Sequence, residues 1–329
     1  MKHYLRTTLN PAMYHGHGIR PPFFEGWYYK LVSASETQRW AIIPGVFLGK
    51  NEHAFVQVLN GVTGQSAYHR FPIQDFWAAQ EQFMVKIGPN EFTQDFIRLQ
   101  IDDELGKVRG EVTFEEVTPW PVRFTSPGIM GWYAWVPRME CYHGVLSLDH
   151  ALRGELTFEY HSQSTPVEFN SGRGYIEKDW GQSFPEAWVW FQSNHFEQPG
   201  ISLTASVAII PWLGRAFRGF IIGLWQAGRL YRFATYNGAR VEHLEIADEH
   251  VDWTVRRGGM CLELRACRVE GGLLLGPTRQ EMGKRVNETL NASVEVCLTG
   301  KDGKTIFQGD GRHAGLEVHG DIERLLRMS

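Results

Sequence analysis

Gly174-Tyr175-Ile176-Glu177-Lys178-Asp179-Trp180-Gly181 leads through Ser183-Phe184-Pro185 into Trp188-Val189-Trp190-Phe191-Gln192-Ser193-Asn194-His195-Phe196. Side chains alternate along a strand. Strand reading therefore puts Trp188, Trp190, Gln192, Asn194 and Phe196 on one face. It puts Tyr175, Glu177 and Asp179 together on a face of the preceding segment. An ordinary strand sends polar groups to water and apolar groups to the core. Here indoles share a face with amides, and a phenol shares one with carboxylates. That mixture suits the wall of a pocket that holds an apolar ligand and acts on it through polar groups.

The same strand character runs outward through the chain. Short apolar runs of strand length recur from 23–33 to 314–319, with turn signals between them. Asn60-Gly61, Asn237-Gly238 and Asp302-Gly303 are hairpin dipeptides that accept positive φ. Helical periodicity is confined to 278–287 and to the last turns, Ile322 to Arg327. The proline-rich stretch 119–137 reads as a long irregular connection. The fold class predicted is all-β with few short helices. With 329 residues, two domains are expected. Phe24-Glu25-Gly26-Trp27-Tyr28 and Ile176-Glu177-Lys178-Asp179-Trp180-Gly181 each join a Glu to a Trp beside a Gly. This loose echo sets the expected division at 1–160 and 161–329, each domain an antiparallel β-barrel able to enclose a small ligand.

Composition excludes several function classes. The formal charge is −4 and no basic run occurs, which argues against a nucleic-acid partner. The longest apolar stretch, Ile201 to Leu213, carries Ser202, Thr204, Ser206 and Pro211, too polar and short to span a bilayer. The first residues lack the apolar core of a signal peptide, so a cytoplasmic location is expected. Cys141, Cys261, Cys267 and Cys297 show no metal spacing and read as reduced thiols.

Other motifs give little. Gly172-Arg173-Gly174 is followed by no helix and is no dinucleotide loop. Gly303-Lys304-Thr305 lacks the leading glycine of a phosphate loop, since Leu298 stands there. His15-Gly16-His17, with His313 and His319, lacks a carboxylate to complete a metal site, so neither metal nor cofactor is expected. What remains is Glu25 set among aromatics, and Glu177. A buried carboxyl without a partner rises in pKa and becomes a proton donor. The alternative for either residue is a structural ion pair with Lys30, Lys178 or Arg173.

Three blocks in order resemble the tocopherol cyclase family. They are Phe23-Phe24-Glu25-Gly26-Trp27-Tyr28-Tyr29-Lys30, then Glu177-Lys178-Asp179-Trp180-Gly181 with Phe184-Pro185, then Trp188-x-Trp190-x-Gln192-x-Asn194-x-Phe196. Ala314-Gly315-Leu316-Glu317-Val318 resembles the family's closing strand. The resemblance covers nearly the whole chain. It implies two lipocalin-like barrels packed together, like the related carotenoid hydratases and pericyclases. It also implies closure of a prenylated hydroquinone to a chromanol, with no redox change and no cofactor.

Such a reaction protonates an alkene in a dry site and shields the resulting cation from water. The resemblance implies Glu177 as the acid, with Glu25 second. The resemblance also implies that Asn often stands at the Asp179 position, which gives Asp179 a supporting role. Trp180, Trp188 and Trp190 would stabilise the cation through their ring faces. Gln192 and Asn194 would orient the quinol, and Trp27, Tyr28, Tyr175 and Glu317 complete the expected substrate contacts. The expected partner is a hydrophobic prenylated aromatic or isoprenoid, and collecting it allows a peripheral membrane contact. Two other readings use the same pocket: a non-catalytic carrier of a quinone, isoprenoid or lipid, and a pericyclase or hydratase acting on a polyene.

Overall fold

Strand alternation is written plainly in Phe96–Asp103. Ile97, Leu99 and Ile101 are buried while Arg98, Gln100 and Asp102 face water. Phe23–Val32 and Gly172–Gly181 differ, because residues on both of their faces are buried. The computed structural model describes residues 2–161, 163–212 and 214–328. In chain order the first strands are β1 (Phe23–Val32), β2 (Arg39–Leu48), β3 (His53–Asn60), β4 (Ser66–Phe71), β5 (Phe76–Ala78) and β6 (Met84–Ile87). They continue with β7 (Asn90–Thr93), β8 (Phe96–Asp103), β9 (Gly106–Glu115), β10 (Cys141–Tyr160), β11 (Gln163–Glu168) and β12 (Gly172–Gly181). The rest are β13 (Ala187–Ser193), β14 (Ser202–Trp212), β15 (Arg215–Gln226), β16 (Arg229–Ala234) and β17 (Arg240–Ile246). Then come β18 (His250–Arg257), β19 (Met260–Cys267), β20 (Gly272–Pro277), β21 (Met282–Thr299) and β22 (Thr305–Gly320). The helices are α1 (Lys2–Thr8) and α2 (Ile322–Arg327). The all-β expectation holds.

The first sheet runs β4-β3-β2-β1-β12-β10-β9-β8-β7-β6-β5, with β11 on β10. Its core face gathers Trp27, Tyr29, Leu31, Trp40, Ile42 and Ile176 among others. Trp40 stacks on Phe158 with ring centroids 3.6 Å apart, and the Tyr29 hydroxyl donates to the Thr93 carbonyl at 2.8 Å. His69 of β4 contacts Asp103 and Tyr160 through its two ring nitrogens, at 2.8 and 2.9 Å. These contacts between distant strands show that the sheet coils on itself. No ladder among the described residues joins β4 to β5, so the expected barrel is an open coil. The end strand β5 is only three residues long, too short to carry a closing ladder.

The second sheet runs β16-β15-β14-β13-β22-β21-β19-β18-β17, with β20 on β21. Its core includes Val189, Phe191, Leu203, Ile222, Trp253 and Leu298. Among the described residues this sheet also ends in unpaired edges, β16 and β17, rather than closing as a barrel. Asp321 caps α2 by accepting from the Arg324 amide at 2.9 Å, and Leu325 is buried.

The chain divides into two compact units: Met1–Phe184 with Leu273–Arg285, and Pro185–Gly272 with Val286–Ser329. The sequence places the boundary after residue 160, but the first unit runs on to Phe184. The reason is pairing: β12 lies between β1 and β10 and is a central strand of the first sheet. Gln57 fixes the returning segment to the first unit, donating to the Leu275 carbonyl at 2.9 Å and accepting from its amide at 2.7 Å.

Residues 278–287 are not helical. Thr278 accepts from the Gln280 and Glu281 amides in a tight turn, after which β21 begins. The stretch 119–137 is irregular as expected, apart from a 3₁₀ turn at Gly131–Trp135. No described helix is long and apolar enough to cross a membrane.

Candidate functional site

Cross-strand register decides what each face of β12 carries. Directly opposed residues of an antiparallel pair share a face. On β1 and β12 the opposed pairs are Glu25 with Trp180, Trp27 with Lys178, Tyr28 with Glu177, and Gly26 with Asp179. Trp27, Tyr29, Ile176 and Trp180 belong to the first core, so that face is the inner one. Glu25 and Lys178 share it. Tyr28, Tyr175, Glu177 and Asp179 lie on the opposite, outer face, as the alternation in the sequence requires.

β10 adds to the outer face a residue that sequence reading passed over. His143 opposes Asp179, and Val145 opposes Glu177. The His143 Nδ1 lies 2.9 Å from Asp179 Oδ1, and its Nε2 lies 3.7 Å from Glu177 Oε2. The Tyr175 hydroxyl donates to Glu177 Oε2 at 2.5 Å. Glu177 and Tyr175 are buried, and the His143 side chain is 15% exposed. Burial pulls the imidazole pKa down, but the Asp179 and Glu177 carboxylates outweigh it and raise it to about 9. His143 is therefore an imidazolium at neutral pH. With Nδ1 taken by Asp179, its Nε2 is buried without a hydrogen-bond partner among the described residues.

The inner face holds a different cluster. Glu25 is fully buried and paired with the ammonium of Lys178, itself buried. The His15 amide donates to Glu25 at 2.8 Å, and Lys178 also donates to the Met13 carbonyl at 2.7 Å. Lys178 Nζ sits 4.7 Å from the Trp27 ring and 4.9 Å from the Trp180 ring, and His15 stacks on Trp180. Burial drives the Glu25 carboxyl upward, yet Lys178 and His15 hold it below the ordinary carboxylate range. Of the two sequence readings for Glu25, the geometry matches the ion pair with Lys178. The cluster ties residues 13–15 to the inner face of the sheet. The rings of Trp27 and Trp180 accordingly face Lys178.

In the second unit, Val189 and Phe191 of β13 point into the core, so Trp188, Trp190 and Gln192 share the other face. All three are buried. The Trp188 indole donates to Glu317 Oε2 at 2.6 Å and lies over His319. Trp190 opposes Glu317 across β13 and β22, and Glu288 opposes Glu317 across β21 and β22. Glu288 is a buried carboxyl that the sequence reading did not single out. The expected ladder stops at the end of β13. Asn194 contacts His195 at 3.0 Å, and Phe196 turns into the core because alternation fails beyond Ser193.

The described residues contain two groups able to share a metal ion. One is His143, Glu177 and Asp179, whose donor atoms lie within 4.8 Å of one another; the other is the more exposed Glu245, His250 and Asp252. His15, the first member of the His-Gly-His motif, is instead committed to Glu25 and Lys178.

His143 had no local signal in Glu140-Cys141-Tyr142-His143-Gly144. Only its register against Asp179 brings it to the carboxylates. The pairing of Glu25 with Lys178 likewise depends on which faces of β1 and β12 coincide.

Two antiparallel sheets, the first coiled on itself, define a lipocalin-like all-β protein. A family model described as "Tocopherol cyclase-like" matches residues 21–320, and the chain belongs to that family of cyclase-like enzymes. It is 24% identical to a rice (Oryza sativa subsp. japonica) protein described as a probable chloroplastic tocopherol cyclase. It is 23% identical to a chloroplastic tocopherol cyclase of Zea mays. Each alignment covers 93% of this chain and 77% of the relative. Among solved structures, CghA with Sch210972 superposes with a TM-score of 0.57 at 10% identity, covering 92% of this chain and 89% of that one. A Nitrosomonas europaea protein described as AttH gives 0.52 at 13% identity, covering 90% and 92%. These structural likenesses concern the fold.

Proposed function

We propose that the protein closes a prenylated hydroquinone to a chromanol by coupled proton donation and proton removal on the outer face of β12. The observation that carries this reading is His143 set between Asp179 and Glu177. The imidazolium Nε2–H is the proton donor, held in orientation by Asp179 on Nδ1. Glu177, hydrogen-bonded by the Tyr175 hydroxyl and 3.7 Å from the imidazolium, is the base. His143 delivers its proton to one carbon of the prenyl double bond. The phenol oxygen bonds to the other carbon as its proton passes to Glu177. One C–H bond and one C–O bond form, and the π bond and the O–H bond break. Product and substrate are isomers. The proton then returns from Glu177 to His143, 3.7 Å away, restoring the starting state. Removing the phenol proton as the C–O bond forms keeps a free tertiary cation from building up, so the donor need not be a strong acid.

This reading moves the donor from Glu177 to His143 and retains Glu177 in the reaction. Glu25 becomes a structural anchor. Within the second unit, the Trp188, Trp190 and Gln192 face, with Glu317, is proposed to hold an apolar group of its own. The four free cysteines support a reducing, cytoplasmic setting.

The test is incubation with a prenylated benzoquinol and detection of a chromanol of unchanged mass. H143Q and E177Q are each expected to lower kcat by about a hundredfold or more. Unchanged turnover in H143Q would sink the donor assignment. Recovery of an unaltered ligand with no product from any prenylated quinol would favour the carrier reading. Turnover is also expected to survive a chelator. Its loss, with recovery on adding zinc, would make His143, Glu177 and Asp179 metal ligands.

A further inference from the structure

The first unit carries an aromatic surface that the acid–base cluster does not use. α1 and the irregular segment 118–139 meet there. The Tyr4 hydroxyl donates to the Trp135 carbonyl at 2.6 Å, and the Trp135 indole donates to the Phe124 carbonyl at 2.8 Å. The Phe124 and Trp135 ring centroids are 5.2 Å apart. The backbone is thus cross-braced while large apolar groups stay outside. Phe124 is 69% exposed, Trp132 46% and Tyr4 41%, and Leu5 and Val122 are exposed as well. Exposed rings gathered in this way mark a candidate interaction surface.

Charge identifies the partner. The segment 118–139 contains no Asp or Glu, in a chain whose net charge is −4. Its charged residues are Arg123 and Arg138, both exposed, and neither makes an ion pair among the described residues. Exposed Trp, Tyr and Phe flanked by unpaired arginines match the boundary of an anionic bilayer. There the rings sit at headgroup depth and the cations meet lipid phosphates. The patch is also wired to the site strand. The Tyr142 hydroxyl donates to the Val136 carbonyl at 2.6 Å, and Tyr142 immediately precedes His143.

We propose that Tyr4, Leu5, Val122, Phe124 and Trp132, flanked by Arg123 and Arg138, form a docking surface for an anionic lipid bilayer. The docking itself rests on the exposed rings and their charge. The further step, that the bilayer supplies the prenylated substrate, rests on the cyclase reading above. A prenylated quinol dissolves in lipid rather than in water, so an enzyme that consumes it gains by sampling the membrane surface.

The experiment is co-sedimentation of the whole protein with phosphatidylcholine vesicles, with and without phosphatidylglycerol. Wild type is expected to bind the anionic vesicles and to be released by salt. F124S/W132S and R123E/R138E should each lower the partition by about tenfold or more with unchanged melting temperature. Absence of wild-type binding overturns the proposal. So does wild-type binding that both variants retain. Sedimentation velocity provides a second check: a wild-type dimer that F124S/W132S converts to monomer would show that the patch joins two copies, and would also overturn it. Turnover separates this claim from the cyclase reading. F124S/W132S should lose activity on vesicle-borne quinol and keep it on a short-chain, detergent-dispersed quinol. Vesicle binding without turnover on either would leave the docking standing and refute the cyclase reading.

Discussion

Glu25 and Glu177 project from opposite faces of the same sheet. Glu25 shares the inner face with Lys178 and Trp27, and Glu177 shares the outer face with Tyr28, Tyr175 and His143. The two carboxyls that look equivalent in the sequence therefore meet different surroundings. Both neighbour a cation, but Glu25 meets a buried lysine and Glu177 meets a titratable imidazolium.

The two should separate cleanly by mutation. E25Q leaves the Lys178 charge buried without its counter-ion and is expected to cost on the order of 3–5 kcal/mol of stability. Thermal or urea unfolding reads this. E25Q/K178M is expected to recover part of the loss, since it removes both charges. Turnover per folded molecule should stay near wild type in E25Q. A large fall in kcat at unchanged fold would return Glu25 to the list of acids.

The raised pKa of His143 has a defined sign. In the proposed role of proton donor it must be charged, so kcat/KM is expected to hold through neutrality and fall above about pH 9. In D179N the main carboxylate raising that pKa is neutralised, and the falling limb should move down by about one pH unit or more. A limb that stays in place in D179N would contradict the arrangement.

The same group couples stability to pH. Its folded pKa, about 9, lies above the ordinary 6.5. The stabilisation is fully present below the unfolded pKa and is lost as pH rises from there through 9. The shift corresponds to an order of 3 kcal/mol. H143Q should flatten that part of the stability profile, and urea midpoints at pH 6 and pH 10 would show it.

Tyr175 offers a further check. Its hydroxyl, 2.5 Å from Glu177, favours the ionised carboxylate. Y175F removes that hydrogen bond from the proposed base and is expected to lower kcat/KM by about tenfold. Folding should change by no more than about 1–3 kcal/mol. An unchanged kcat/KM in Y175F would disconnect Tyr175 from the base.

Packing makes Gly174 of β12 intolerant of a side chain. A Cβ at Gly174 would collide with the His150 imidazole Nε2. His150 is buried, bonded to Ser147 at 2.9 Å, and kept neutral by burial, which lowers its pKa to about 3. G174A is expected to destabilise by about 1–3 kcal/mol, and G174A/H150S to recover part of that in thermal unfolding.

Several features were legible in the residues alone. Strand alternation placed Tyr175, Glu177 and Asp179 on one face, and Trp188, Trp190 and Gln192 on another, because the period of two is a property of the backbone. The same alternation misplaced Phe196, since it holds only while the strand lasts. The order of the aromatic and acidic blocks was enough to mark the family. What only tertiary structure decided is register and pairing. His143 is far from Asp179 in sequence and beside it in space, and Lys178 meets Glu25 rather than solvent. β12 sits in the middle of the first sheet although the sequence reads it as the start of a second domain. These are long-range choices, fixed by which faces bury together and which charges find partners, and no local pattern encodes them.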